Sequence, residues 1–230
     1  MKAMFLLAGL ALAMPEPVTA ADVRTINLPD GIHSTPIDIV GDDNTRVIIV
    51  GNEKNPERVV IDVKGSDAVR VRNAAVRISG VELRSTELFA ELHAEDGGNI
   101  EFSNVRFGLG GRHIVAEQGG RIRATGNYDI VVGGTSHLHA RGGVIELNQK
   151  IVVTLHSVVF RAHFAGASAG GVLNIEHGVS FAGLASASKF HVRDHGRINS
   201  GGLGVAGLPG GWPGVIEDTG EYDDLRAVQK

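Results

Sequence analysis

The chain has no cysteine among its 230 residues. That single absence excludes disulfides, thiolate zinc sites, iron–sulfur clusters and thiol catalysis. Aromatic residues are only 5% of the chain, with one Trp and two Tyr, too few for a sugar groove lined with stacking rings. Charge of one sign is also scarce. The formal net charge is −4, which gives no electrostatic reason to expect a nucleic-acid partner. Beyond the first twenty residues no window shows a convincing 3.6-residue apolar period, so crossover helices, and with them a doubly wound parallel sheet, are excluded. No later apolar run is long enough to cross a bilayer as a helix.

Glycine, by contrast, is abundant, at 32 residues. A phrase of short apolar strand, Gly-Gly turn and second apolar strand recurs along the chain. It reads Leu92-His93-Ala94-Glu95-Asp96-Gly97-Gly98-Asn99-Ile100, then Ile114-Val115-Ala116-Glu117-Gln118-Gly119-Gly120-Arg121-Ile122, then Leu138-His139-Ala140-Arg141-Gly142-Gly143-Val144-Ile145. Looser copies end at Gly170-Gly171 and His195-Gly196. The second glycines, at 98, 120, 143, 171 and 196, step by 22 to 28 residues. Strands and glycine turns repeating at that interval predict a solenoid. Period-2 alternation fills the rest, as in Val69-Arg70-Val71-Arg72, Val76-Arg77-Ile78 and Val81-Glu82-Leu83-Arg84. The expected fold is an all-β, single-stranded right-handed parallel β-helix of about 8–9 coils stacked about 4.8 Å apart. Aliphatic side chains point inward and Arg, Glu, Asn and Thr outward. Residues 22–30 and Gly201–Trp212 are candidates to cap the two ends, where sheet edges would otherwise be open.

The N-terminus reads as a leader. Lys2 precedes an apolar run from Ala3 to Met14, Pro15-Glu16-Pro17 breaks the run, and Val18-Thr19-Ala20 supplies the small residues of a cleavage site. The run is too short for a membrane span. The expected organisation is a signal peptide at 1–20, the β-helix at 21–212 and a C-terminal tail at 213–230. Export to the periplasm, cell surface or medium follows, with no stable membrane insertion after cleavage.

Two stretches carry a family resemblance. Ile26-Asn27-Leu28-Pro29-Asp30-Gly31-Ile32-His33, followed by Ile37-Asp38-Ile39 and Val47-Ile48-Ile49-Val50-Gly51, resembles the first coils of pectin-lyase-like right-handed β-helices. The Gly-Gly coils and the ending Gly196-Arg197-Ile198-Asn199-Ser200-Gly201-Gly202, Leu208-Pro209-Gly210 and Thr219-Gly220-Glu221-Tyr222 are similar to β-helix proteins carried near phage tail genes in bacteria. The resemblance implies the fold, and self-association as a homotrimer. The leader favours an exported bacterial protein of the same build.

Candidate chemistry is sparse. Enzymes of this fold need carboxylates on adjacent coils. The adjacent acid pairs are Asp42-Asp43, in a Gly-bounded turn that favours Asp for local backbone bonding, and Asp223-Asp224, near the C-terminus. The histidines are sharper candidates. His93, His139 and His191 fall at one phase of the repeat, with Val115 between the first two, and His113, His137 and His163 add to the local density. His93 and His139 are the candidates for a metal, although one intervening coil holds them about 10 Å apart, too far for one ion at about 2 Å from each nitrogen. His191, Asp194 and His195 are the candidates for acid–base catalysis. Arg70, Arg72, Arg77, Arg84, Arg106, Arg121 and Arg123 could form a basic stripe for an acidic polysaccharide. Glu82, Glu95, Glu101 and Glu117 are interleaved with them, which predicts solvated cross-strand pairs instead. No nucleophile elbow, phosphate loop or dinucleotide fingerprint is present, and no cofactor is expected. The leading expectation is a structural, adhesive or spike-like rod without catalysis. The alternatives are a polysaccharide lyase or hydrolase and a surface-polysaccharide-binding solenoid.

Overall fold

A computed structural model describes residues 23–42 and 44–223 of the chain. The expected leader lies outside the described residues, as do Asp43 and Asp224. What is described is a right-handed parallel β-solenoid of about eight coils, nearly all strand. Its only α-helical turn is Gly204–Gly207 among the described residues, and no helix there is long and apolar enough to cross a membrane.

Each coil contributes to three parallel sheets, named A, B and C in the order the chain visits them. The first coil is Val23–Asn27 in A, Gly31–His33 in B and Ile37–Val40 in C. Later coils follow the same order. Some strands bend through a corner and serve two sheets. Ala75–Arg84 and Asn99–Phe107 run from A into B, and Val152–Ser168 and Ser180–Val192 from B into C.

The alternation read from the sequence becomes stacked ladders. In sheet A, Val47, Val76, Ile100, Ile122, Ile145, Leu173 and Ile198 occupy one register position on successive coils, all buried. In sheet C the buried ladder runs Val69, Leu92, Ile114, Leu138, Ala165, Phe190. Each ladder removes apolar surface from water while the parallel hydrogen bonds satisfy the backbone that burial would otherwise orphan.

The C-to-A corner explains the Gly-Gly phrase. Its first two residues both take positive φ: Asp96 and Gly97, Gln118 and Gly119, Ala169 and Gly170. The second glycine is required for a different reason. A Cβ on Gly98 would stand 2.1 Å from the carbonyl oxygen of Val71 in the coil before, and one on Gly120 2.1 Å from that of Ala94. The glycine is therefore where one coil's backbone rests on its neighbour's.

The ends differ from expectation in part. Residues 23–27 form a strand of the first coil paired with Arg46–Val50 and leave their other edge without a partner among the described residues. At the far end Gly201–Trp212 crosses the eighth coil, where it buries Leu208 and half-buries Leu203 against the core. The ladder then continues through Val215–Ile216, paired in sheet C, and Glu221–Asp223, paired in sheet A.

Candidate functional site

The outward face of sheet C gathers most of the candidate residues. One register row there runs Arg70, His93, Val115, His139, Gly166, His191, Val215. The expected separation of His93 from His139 by a Val115 rung is present. The rung between His139 and His191, which the sequence left unassigned, is Gly166. Its missing side chain has a use. A Cβ there would stand 2.4 Å from His163 Nε2, because the His163 ring, rooted three residues earlier, lies in the space that glycine leaves.

The result is a row of three imidazoles. His139 and His163 stack at 6.0 Å between ring centres, and His163 and His191 meet edge to face at 5.8 Å. His139 Nδ1 and His163 Nε2 are buried without hydrogen-bond partners. His191 Nε2 lies 3.1 Å from Glu217 Oε2 but out of line for a hydrogen bond. Burial, with the nearby Arg112 cation, pushes His139 down to about 3. Burial and the neighbouring His191 push His163 down to about 4. His139 and His163 are therefore neutral at ordinary pH. Among the described residues, no three His, Asp or Glu side chains are placed to hold a metal ion.

His93 has a different partner. Its Nδ1 lies 2.7 Å from Asp67 Oδ2, and Asp67 also accepts the Ala90 N–H at 2.7 Å. Burial raises the Asp67 carboxyl, but these hydrogen bonds prevail and hold it below the usual carboxylate range. An imidazole oriented by a carboxylate is the geometry of a general base. However, the other ring nitrogen, Nε2, which would take the proton, is buried and faces Glu95 Oε2 at 3.7 Å. Glu95 is in turn held by Arg70. Nothing in the sequence joins Asp67 to His93, because the two lie one coil apart in space but 26 residues apart in sequence.

Asp194 and His195 take the positive-φ positions of the C-to-A corner that leads into Arg197–Asn199, where earlier copies carry Gln118-Gly119 or Ala169-Gly170. His195 N–H donates to Thr219 Oγ1 at 2.9 Å, and the Asp194 carboxylate lies 3.6 Å from Arg193 Nε. No hydrogen bond joins Asp194 to His191 or His195 among the described residues. The three candidates for catalysis are thus split between a strand face and a turn. Asp42 is an exposed turn residue. The Thr45 hydroxyl and the Asn44 N–H hold its carboxyl below the usual range.

The Arg stripe resolves into ion pairs, most of them between coils. Arg77 reaches Glu101 at 3.0 Å, Arg121 and Arg123 share Glu146, Arg72 reaches Asp38 at 2.9 Å, and Arg84 and Arg106 share the nearly buried Glu82. Close by, Glu91 is fully buried with neither carboxylate oxygen bonded. Burial, then the Glu82 charge, raises its carboxyl well above the usual range, which favours the protonated form.

The other two candidate histidines, His113 and His137, are not on the surface. Their Nδ1 atoms lie 3.0 Å apart inside the rod, and His137 Nε2 is 2.9 Å from the Tyr128 hydroxyl. Phe107 stacks on His113, and Phe160 and Phe164 pack around the pair. Burial drives His113 down to about 3 and His137 well below its usual value. The arrangement with fewest orphaned groups has Tyr128 O–H donating to His137 Nε2 and His137 Nδ1–H donating to His113 Nδ1. It is a polar insert within the core, with no route to solvent.

No family model, curated protein or solved structure matches this chain.

Proposed function

We propose that the chain is an exported, non-catalytic β-helix rod that works as a scaffold: a surface, adhesive or spike-like element of bacterial origin, similar in build to pectin-lyase-like and phage-tail-associated β-helices. One observation carries this reading. The imidazole that a carboxylate hydrogen bond orients, and the carboxyls beside the arginine stripe, are closed off. His93 Nε2 is buried against Glu95, Glu91 is buried without access to solvent, and Glu82 is clamped by two arginines. A lyase or hydrolase needs two carboxylates, or a base and a cation, open to one substrate. The strand faces instead present ion pairs already satisfied within the rod. The expected leader places the protein in the periplasm, on the cell surface or outside the cell.

The test is an assay of the purified chain from Ala21 onward against a panel of acidic and neutral polysaccharides, reading unsaturated products and new reducing ends. The expected result is no turnover. Turnover abolished by Asp67→Asn or Glu82→Gln in a folded variant would overturn the reading.

One observation favours passive polysaccharide binding as a second reading. The only Trp, Trp212, is 58% exposed and bridges to Ser188 in sheet C. Ser188 lines a depression of about 210 Å³ together with His163, His191 and Glu217. An exposed indole offers a face on which a sugar can stack, and quenching of Trp212 fluorescence by a titrated polysaccharide would support it.

A further inference from the structure

Histidine is spread unevenly over the rod, and the functional reading makes no use of that. Of the ten histidines, His93, His113, His137, His139, His163 and His191 lie in strands of sheet C. The sheet A strands of the same coils, Arg121–Ala124, Val144–Leu147 and Val172–Ile175, carry none, nor does Tyr128–Ile130 in sheet B. Four of the sheet C histidines fall on three adjacent strands: His113 on Arg112–Glu117, His137 and His139 on Ser136–Arg141, and His163 on the last part of Val152–Ser168. His113 and His137 lie inside the rod, His139 and His163 on its outer face. The middle strand therefore carries an imidazole on each side.

The surroundings of these four rings make a proton costly. Phe107, Tyr128, Phe160 and Phe164 enclose the inner pair, and the only other ring nitrogen facing each is its partner's. On the outer face the charges acting on His139 are Arg112, Arg141 and Arg193, and those acting on His163 are Arg112 and Arg193, with His191 beside it. The acids of that face are turned to other groups: Glu217 to His191 at 3.1 Å, Glu117 to Arg141 at 4.0 Å and Asp194 to Arg193 at 3.6 Å. Among the described residues, no carboxylate oxygen lies within 4.0 Å of any of the four rings.

We infer that sheet C between Arg112 and Ser168 is an acid-triggered opening in the rod, which parts from the core as the surroundings acidify while sheet A of the same coils stays joined. The direction follows from linkage. A ring that the fold holds neutral, and that takes a proton once released, makes the released state bind more protons, so acid favours release. With an ordinary imidazole value near 6.5, going from pH 7 to pH 5 multiplies the open population by about 25 for each ring set free. Sheet A has no such group. Burial raises its Glu146 carboxyl, but hydrogen bonds from Arg121 and Arg123 prevail and hold it below the usual range, so that pairing persists at pH 5. Release uncovers Phe107, Tyr128, Phe160 and Phe164, all buried in the closed rod. The inference goes beyond the scaffold reading and does not depend on it.

The test is amide hydrogen exchange of the chain from Ala21 onward at pH 7 and pH 5, resolved by peptide and corrected for the intrinsic pH dependence of exchange. Protection in 112–117, 136–141 and 163–168 should fall by at least about 25-fold, the share of one ring. Protection in 121–124, 144–147 and 172–175 should fall by less than about threefold. In the double variant His139→Gln, His163→Gln the loss in sheet C should shrink by at least about tenfold, since two of the four rings no longer titrate. Equal protection at the two pH values, or an equal loss in sheets A and C, would overturn the inference. So would a sheet C loss that the folded double variant leaves unchanged. The comparison on the unaltered chain needs no variant and decides by itself if the double variant fails to fold. None of these outcomes bears on turnover of polysaccharide, which tests the scaffold reading separately.

Discussion

At the scale of single residues, two glycines one position apart do different jobs. Gly119 has φ +81° and open space where a Cβ would go, while Gly120 has a carbonyl oxygen 2.1 Å from that point. Gly120→Ala therefore forces two coils apart at a place where only backbone is available to move. A loss of about 3 kcal/mol is expected, the upper end for overpacking. Gly119→Asn should lose under about 1 kcal/mol, since Asn tolerates the left-handed region. Urea denaturation of the two variants checks the contrast, and equal losses would sink the account of the corner. Glu91 makes the opposite case. Both of its oxygens are buried and unbonded, so Glu91→Met removes a polar cost without removing a partner and should stabilise the fold by about 1–3 kcal/mol. A lower thermal midpoint for that variant would mean that the carboxyl has a partner after all.

At the scale of elements, the strands of sheet C and the inner core together hold four depressed imidazoles: His113, His137, His139 and His163. In the unfolded chain each titrates near 6.5, while in the fold each stays neutral well below that. Between those limits the unfolded state binds more protons, so stability falls as pH falls. The full contribution is present above about pH 6.5. It is lost progressively below that, down to about 4 for His163 and about 3 for His113 and His139. Each group adds a slope of up to about 1.4 kcal/mol per pH unit. The urea midpoint at pH 5 should therefore lie clearly below that at pH 7, and the double variant His139→Gln, His163→Gln should reduce the difference. Equal midpoints at the two pH values would show that the imidazoles titrate normally. The Arg–Glu ladders respond differently. Arg121 and Arg123 around Glu146 are 46% and 36% exposed on their side chains, so they set register and solubility more than stability.

For the molecule as a whole, each coil touches chiefly the coils before and after it, so stability accumulates along the rod from neighbour terms. The first coil is mostly exposed, with Val23, Ile32 and Val40 more than half open to solvent, while the ladders from Val59 to Phe164 are closed. Amide hydrogen exchange should therefore be fastest in strands Val23–Asn27, Gly31–His33 and Ile37–Val40 and slowest in Asn99–Phe107, Arg112–Glu117 and Ser136–Arg141. Uniform protection along the chain would mean that the rod opens only as one unit.

How much of this the amino-acid order determined follows from what is periodic in it. The alternation of Val, Ile and Leu with charged residues, and the paired glycines at 97–98, 119–120 and 142–143, determined by themselves that the chain coils, where its corners fall and which side chains face inward. The physical reason is local: a strand alternates every residue, and a backbone-on-backbone contact admits only glycine. The rung shared by His93, Val115 and His139 was legible for the same reason. What lies between coils was not. His163 fills the space over Gly166, Asp67 holds His93, and His113 meets His137 and Tyr128 inside the core. These pairings depend on how far each B-to-C corner bulges, which shifts register without a periodic trace, and so only the tertiary structure decided them.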